Sequence, residues 1–162
     1  RNGSVSHLVL FDVFHHLRTP NAFLCEARRV LAASGRVIFF EPFVSLTSYP
    51  VYGLLHHEPV AMTKQIDLSE SPPHAHDYYA AQGNATRLFV RKGTKEFAPW
   101  WELFFKAAYS SFAYLLSGGY SKPSFYPMSL LPLMNRLDAT LSRWPGLFGS
   151  RCLIGITPRR VG

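Results

Sequence analysis

At 162 residues, with 48% hydrophobic and 15% aromatic side chains, the chain is long and apolar enough to bury a core, which excludes a disordered segment. Its net charge of +7 comes from scattered basic residues, dense only from Arg87 to Lys95 and in the tail, and no helix-turn-helix, zinc-finger or RNA-binding signature accompanies them. A solvated basic face and no nucleic-acid partner are therefore expected.

The first predicted elements form a crossover. Leu8 to Phe11 is an apolar run that reads as a strand, with Asp12 where that strand emerges. After Thr19 and Pro20, Asn21 begins a run in which Phe23, Leu24, Ala27, Val30 and Leu31 recur at helical spacing, with Glu26, Arg28 and Arg29 between them. Pro20 suits a first helical turn, and Gly35 suits a left-handed helix end. Arg36 to Phe40 is a second apolar run with Glu41-Pro42 at its tip. Strand, helix and strand without polar alternation predict a β-α-β unit whose parallel strands are buried on both faces. Ligands of open α/β sheets bind at the carboxyl ends of such strands.

From Phe43 to about Gln82 the periodicity breaks down at prolines 50, 59, 72 and 73, which predicts a long loop with a short helix near Val51 to His57. Ala80 to Arg91 reads equally as helix or irregular chain. Within Glu96 to Leu116 the periodicity allows a short helix to Trp101 followed by a strand, or one long amphipathic helix. Pro127 to Ser142 carries Leu130, Leu131, Leu133, Met134, Leu137 and Leu141 at helical spacing, and Arg151 to Thr157 reads as a last strand. The aromatic run from Trp100 to Tyr120 is expected to be core, and membrane contact is not expected. Cys25 and Cys152, one on a predicted helix and one on a predicted strand, are expected to be buried and reduced. No signal-peptide pattern is visible and no apolar run reaches the ~18 residues of a membrane span, so a cytoplasmic location is expected.

Phe-Asp-Val-Phe-His-His-Leu from Phe11, a proline three residues on, Glu-Ala-Arg-Arg-Val-Leu from Glu26, and Arg-Val-Ile-Phe-Phe-Glu-Pro from Arg36 are similar to one stretch of the class I S-adenosylmethionine-dependent methyltransferases. They resemble the fourth strand, following helix and fifth strand of the broad small-molecule group, methyltransferase type 11-like. Two departures accompany the resemblance: Ala33-Ser34-Gly35 stands where the family has Pro-Gly-Gly, and no strand ending in Gly-x-Gly-x-Gly or ribose-binding acid precedes Ser6. The resemblance implies an α/β fold, the C-terminal half of a Rossmann-like sheet with strands 4, 5, 7 and 6, lacking strands 1 to 3, with the sixth strand within Leu103 to Phe112 and the seventh inserted antiparallel between the fifth and sixth. Residues 1–162 are then one partial domain: a β-α-β core at 1–42, a loop-rich acceptor-side insertion at 43–100, and a C-terminal strand-helix-strand at 101–162. The expected partners are the N-terminal half of the same domain and a small-molecule acceptor. Self-association through an exposed strand edge is open.

The implied cofactor is S-adenosylmethionine, with Phe11, Asp12 and His16 beside its methionine end. Methyl transfer is an in-line displacement that needs donor and acceptor held in contact, and a general base only where the acceptor must lose a proton. His15, His16 and Glu41 are the catalytic candidates. Either histidine can serve as base near neutrality or simply satisfy loop hydrogen bonds. Glu41 can orient an acceptor or cap a backbone group. Tyr49, Tyr52, His56, His57 and Glu58 are the candidates to line an acceptor pocket. Asp12-x-x-His15-His16 sits where some quinone-pathway O-methyltransferases carry a metal-binding Glu-x-x-Glu-His, but no zinc-type spacing supports it and no metal is assigned. The alternatives are a non-catalytic remnant or interaction module that kept the fold without the cofactor, and another Rossmann-like enzyme.

Overall fold

The computed structural model describes residues 1–17, 20–55, 60, 62, 83–91, 99–118 and 123–159. A strand β1 (Val5–Phe11) leads through a 3-10 turn (Phe14–His16) to helix α1 (Pro20–Val30) and strand β2 (Leu31–Pro42). Helix α2 (Ser48–Leu55) and a π-helical turn (Thr86–Arg91) precede strand β3 (Trp101–Tyr109). Helices α3 (Phe112–Leu116), α4 (Leu131–Leu141) and α5 (Pro145–Phe148) then lead into strand β4 (Arg151–Pro158).

The four strands form one sheet in the order β1-β2-β4-β3. β1 and β2 are parallel, as the crossover pattern requires, while β4 runs antiparallel to both β2 and β3. The expected insertion of the last strand between its predecessors is therefore observed. The strand expected within Leu103 to Phe112 is present but starts earlier, and Phe112 already opens α3.

One sheet face carries the core. The register aligns Leu10, Phe39 and Ile154, and beside them Val37 with Ile156 and Glu41 with Cys152. Phe39 is fully buried, edge-on to Phe14 at 5.0 Å and stacked on Phe89 of the π-helical turn at 5.2 Å. Leu24 and Ala27 of α1 close this face. Each fully buried large side chain contributes about 1.5–3 kcal/mol.

The opposite face corrects an expectation. β1 and β2 were expected to be buried on both sides, but Val9 is 69% and Phe11 57% exposed among the described residues. An apolar run reveals that a strand can be buried on both faces, and what packs there decides whether it is.

Gly35 also differs from expectation. It lies within β2 rather than ending α1, and its φ is not positive. Between the pairs Val5–Leu31 and His7–Arg36 the register shifts, so β2 carries extra residues there. A Cβ on Gly35 would come within 2.9 Å of the Ala32 carbonyl and the Leu31 side chain, so close backbone approach, not handedness, demands glycine.

Cys152 is buried as expected, but Cys25 is exposed. Cys25 is one helical step of about 100° beyond buried Leu24, which carries it off the core-facing stripe of α1. The scattered basic residues are not all solvated either, because Arg87 and Arg151 are buried. Of the aromatic run, Trp101 belongs to the core, whereas Trp100, Phe104 and Phe105 are nearly half exposed. Phe104 lies across Gly155, where a Cβ would meet its ring, and the Arg36 guanidinium sits 5.0 Å above that ring. No helix among the described residues is long and apolar enough to cross a membrane.

Candidate functional site

The site is built where β1 ends. Asp12 has φ 52, the left-handed region that aspartate tolerates better than most side chains, and its N–H donates to the Phe40 carbonyl at 2.9 Å. The chain thereby turns sharply off the sheet into the Phe14–His16 turn, whose first N–H groups have no intrahelical partner.

Glu41 satisfies them from the neighbouring strand. Its Oε1 accepts the N–H of Val13 at 3.0 Å and of Phe14 at 2.7 Å, and its Oε2 accepts the N–H of His15 at 3.3 Å. The same Oε2 lies 2.5 Å from His15 Nδ1. Glu41 is fully buried and His15 nearly so. Of the readings open for Glu41, backbone capping is what its side chain does; it is buried beneath the strand tip rather than presented at it.

Arg151, at the head of β4, forms the other half of the arrangement. Its guanidinium pairs with Asp12 and lies 5.3 Å over the Phe40 ring and 4.9 Å over the Tyr114 ring. Burial alone would lower its pKa, but the hydrogen bond and charge of Asp12 outweigh that and hold it above its ordinary value. Tyr52 of α2 packs beside it, donating its hydroxyl to the Ser150 carbonyl at 2.5 Å. Desolvation raises the Tyr52 hydroxyl pKa, with Arg151 pulling part of the way back. Burial likewise raises the pKa of the Cys152 thiol and of the Tyr109 hydroxyl.

Of the residues singled out from sequence, Asp12, His15 and Glu41 come together, with one ligand atom of each within 4.8 Å of the others. These atoms already serve one another and their neighbours: Glu41 holds the turn and Asp12 holds Arg151, so a cation entering would have to displace those contacts. His16 is exposed and its ring lies 4.1 Å from that of His15. Phe11 stacks on Phe40 at 4.5 Å and remains exposed on the outer sheet face. Tyr49 is exposed, while Tyr52 is buried with its hydroxyl committed to the backbone, so these neighbours on α2 do not share a surface. His56, His57 and Glu58 lie outside the described residues.

Sequence reasoning missed Arg151. Its sign was there, a lone cation opening an apolar strand, but its anionic partner Asp12 is 139 positions away.

A family model described as a methyltransferase domain matches residues 1–39, which span β1, α1 and most of β2. No curated protein matches the chain. The matched stretch supports a class I S-adenosylmethionine-dependent methyltransferase-like domain, set on a mixed four-stranded α/β sheet.

Proposed function

We propose that this chain is the C-terminal part of an S-adenosylmethionine-dependent methyltransferase acting on a small organic acceptor in the cytoplasm. The observation that carries the proposal is the coincidence of the methyltransferase match with a parallel β1-α1-β2 crossover whose Asp12–His16 turn projects from the carboxyl edge of the sheet. On this reading β1, β2, β4 and β3 correspond to family strands 4, 5, 7 and 6, and a preceding half of the domain supplies the nucleotide grip. The residues around the turn suit one end of the cofactor: the exposed aromatic ring of Phe11 offers its face to a positively charged sulfonium centre. When bound, the cofactor would supply an activated methyl group on sulfur.

The chain's own residues then position. Glu41 and His15 hold the turn rigid, Arg151 fixes the Asp12 carboxylate, and His16, exposed at the turn, takes the proton of an acceptor hydroxyl. Tyr49 meets the acceptor directly and Tyr52 shapes the wall behind it. Titration calorimetry of the full-length protein with S-adenosylhomocysteine tests the assignment: saturable binding is expected, and its absence overturns it.

A second reading, a non-catalytic interaction module on the same fold, is favoured by the engagement of Asp12, His15, Glu41 and Arg151 with one another. It predicts no binding in that titration.

A further inference from the structure

Helix α4 has the leucine spacing of a core helix, yet none of its residues is fully buried. Leu133 is 52% and Leu137 45% exposed. In the flanking chain Phe125 and Met128 before the helix and Trp144 and Leu147 after it are exposed as well.

Charge distribution favours one kind of occupant for this surface. From Leu103 to the C-terminus the sequence holds seven Lys and Arg, one of which, Arg151, is buried against Asp12, and a single acid, Asp138. That acid is turned inward, where its carboxylate accepts the N–H groups of Phe112 and Ala113 at 2.8 Å and the Ser110 hydroxyl at 2.6 Å. Arg136 and Arg143 remain exposed beside the leucines. A second copy laid on this patch would bring like charges together, which is costly. Exposed leucines beside Arg136, with the helix's own acid turned inward, suit a helix that lies on an anionic bilayer.

We propose that the α4 surface docks on an anionic lipid membrane. The N–H groups of Leu46 and Thr47 donate to the carbonyls of Gly146 and Leu147 and so tie α5 to the segment leaving the carboxyl end of β2. Membrane contact was not expected from the sequence, where only the run from Trp100 to Tyr120 was weighed.

The test is co-sedimentation of the full-length protein with vesicles of phosphatidylcholine, with and without phosphatidylglycerol. Binding is expected only with the anionic lipid. The Leu133→Glu/Leu137→Glu variant should weaken it about tenfold or more by removing the inserted apolar surface. Arg136→Glu/Arg143→Glu should weaken it by about tenfold through charge. Thermal melts and S-adenosylhomocysteine binding of both variants should match the parent, which separates this proposal from the methyltransferase assignment. Full recovery in the supernatant with anionic vesicles, undiminished binding by the leucine variant, or concentration-dependent dimers without vesicle binding would each overturn it.

Discussion

Two carboxylates in this molecule do the same work in different surroundings. Glu41 leaves β2 to take the N–H groups of the turn after β1, and Asp138 leaves α4 to take those that open α3. Neither helical start has a side-chain cap from its own N-cap residue. Glu41 is fully buried and also engages His15, whereas Asp138 is half-buried and works close to solvent. A cap borrowed from a distant element joins that element to the turn, and burial sets how much the join is worth.

Removing each cap tests that difference. Glu41→Ala should cost roughly 3–5 kcal/mol in urea unfolding, because buried donors lose their acceptor with no water to replace it. Asp138→Ala should cost about 1–2 kcal/mol, within the range of an ordinary helix cap. Equal losses would break the comparison.

Arg151→Met should cost roughly 2–4 kcal/mol by leaving the Asp12 carboxylate without its cation. Adding Asp12→Asn should recover part of that, and a double-mutant cycle measures how much the pair couples β1 to β4. Gly149→Ala should cost about 1–3 kcal/mol, since its Cβ would sit 2.5 Å from the Pro145 carbonyl and against the Phe43 ring just before Arg151.

Alkaline pH should loosen the buried side of the site. In the unfolded chain Cys152 and Tyr52 ionise near their ordinary values of 9.0 and 10.0, while burial keeps both protonated in the fold. The unfolded state therefore binds fewer protons, and stability that is complete below about pH 9 is lost as pH rises, by about 1.4 kcal/mol per unit for each group. Melting curves from neutral to alkaline pH check the sign, and Tyr52→Phe should flatten the fall above pH 10. The smallest effect distinguishes the thiols: iodoacetamide at neutral pH should label exposed Cys25 and spare Cys152 until unfolding.

The crossover was readable because local patterning carries it, whereas the central placement of β4 was expected only from the family resemblance. Leu8 to Phe11 and Val37 to Phe40 are apolar runs separated by a helix-spaced segment, and chain handedness leaves few ways to join them. The roles of Gly35 and Glu41 were only half readable. Glycine and a strand-end glutamate each fit several local structures, and the choice lay with Ala32 and with the Phe14 turn.

By itself the sequence determined that the β1-α1-β2 unit, α4 and β4 exist, since hydrophobic period and turn residues act over a few neighbouring positions. Tertiary structure alone decided which apolar faces find cover and which charges meet. Val9 and Leu133 have the side chains of core residues but lie on surfaces where the described chain packs nothing fully against them. Asp12 and Arg151 read as ordinary charges until β4 aligns beside β2 and closes a separation of 139 residues. Contacts of that range depend on how every intervening element is placed, and no local pattern encodes them.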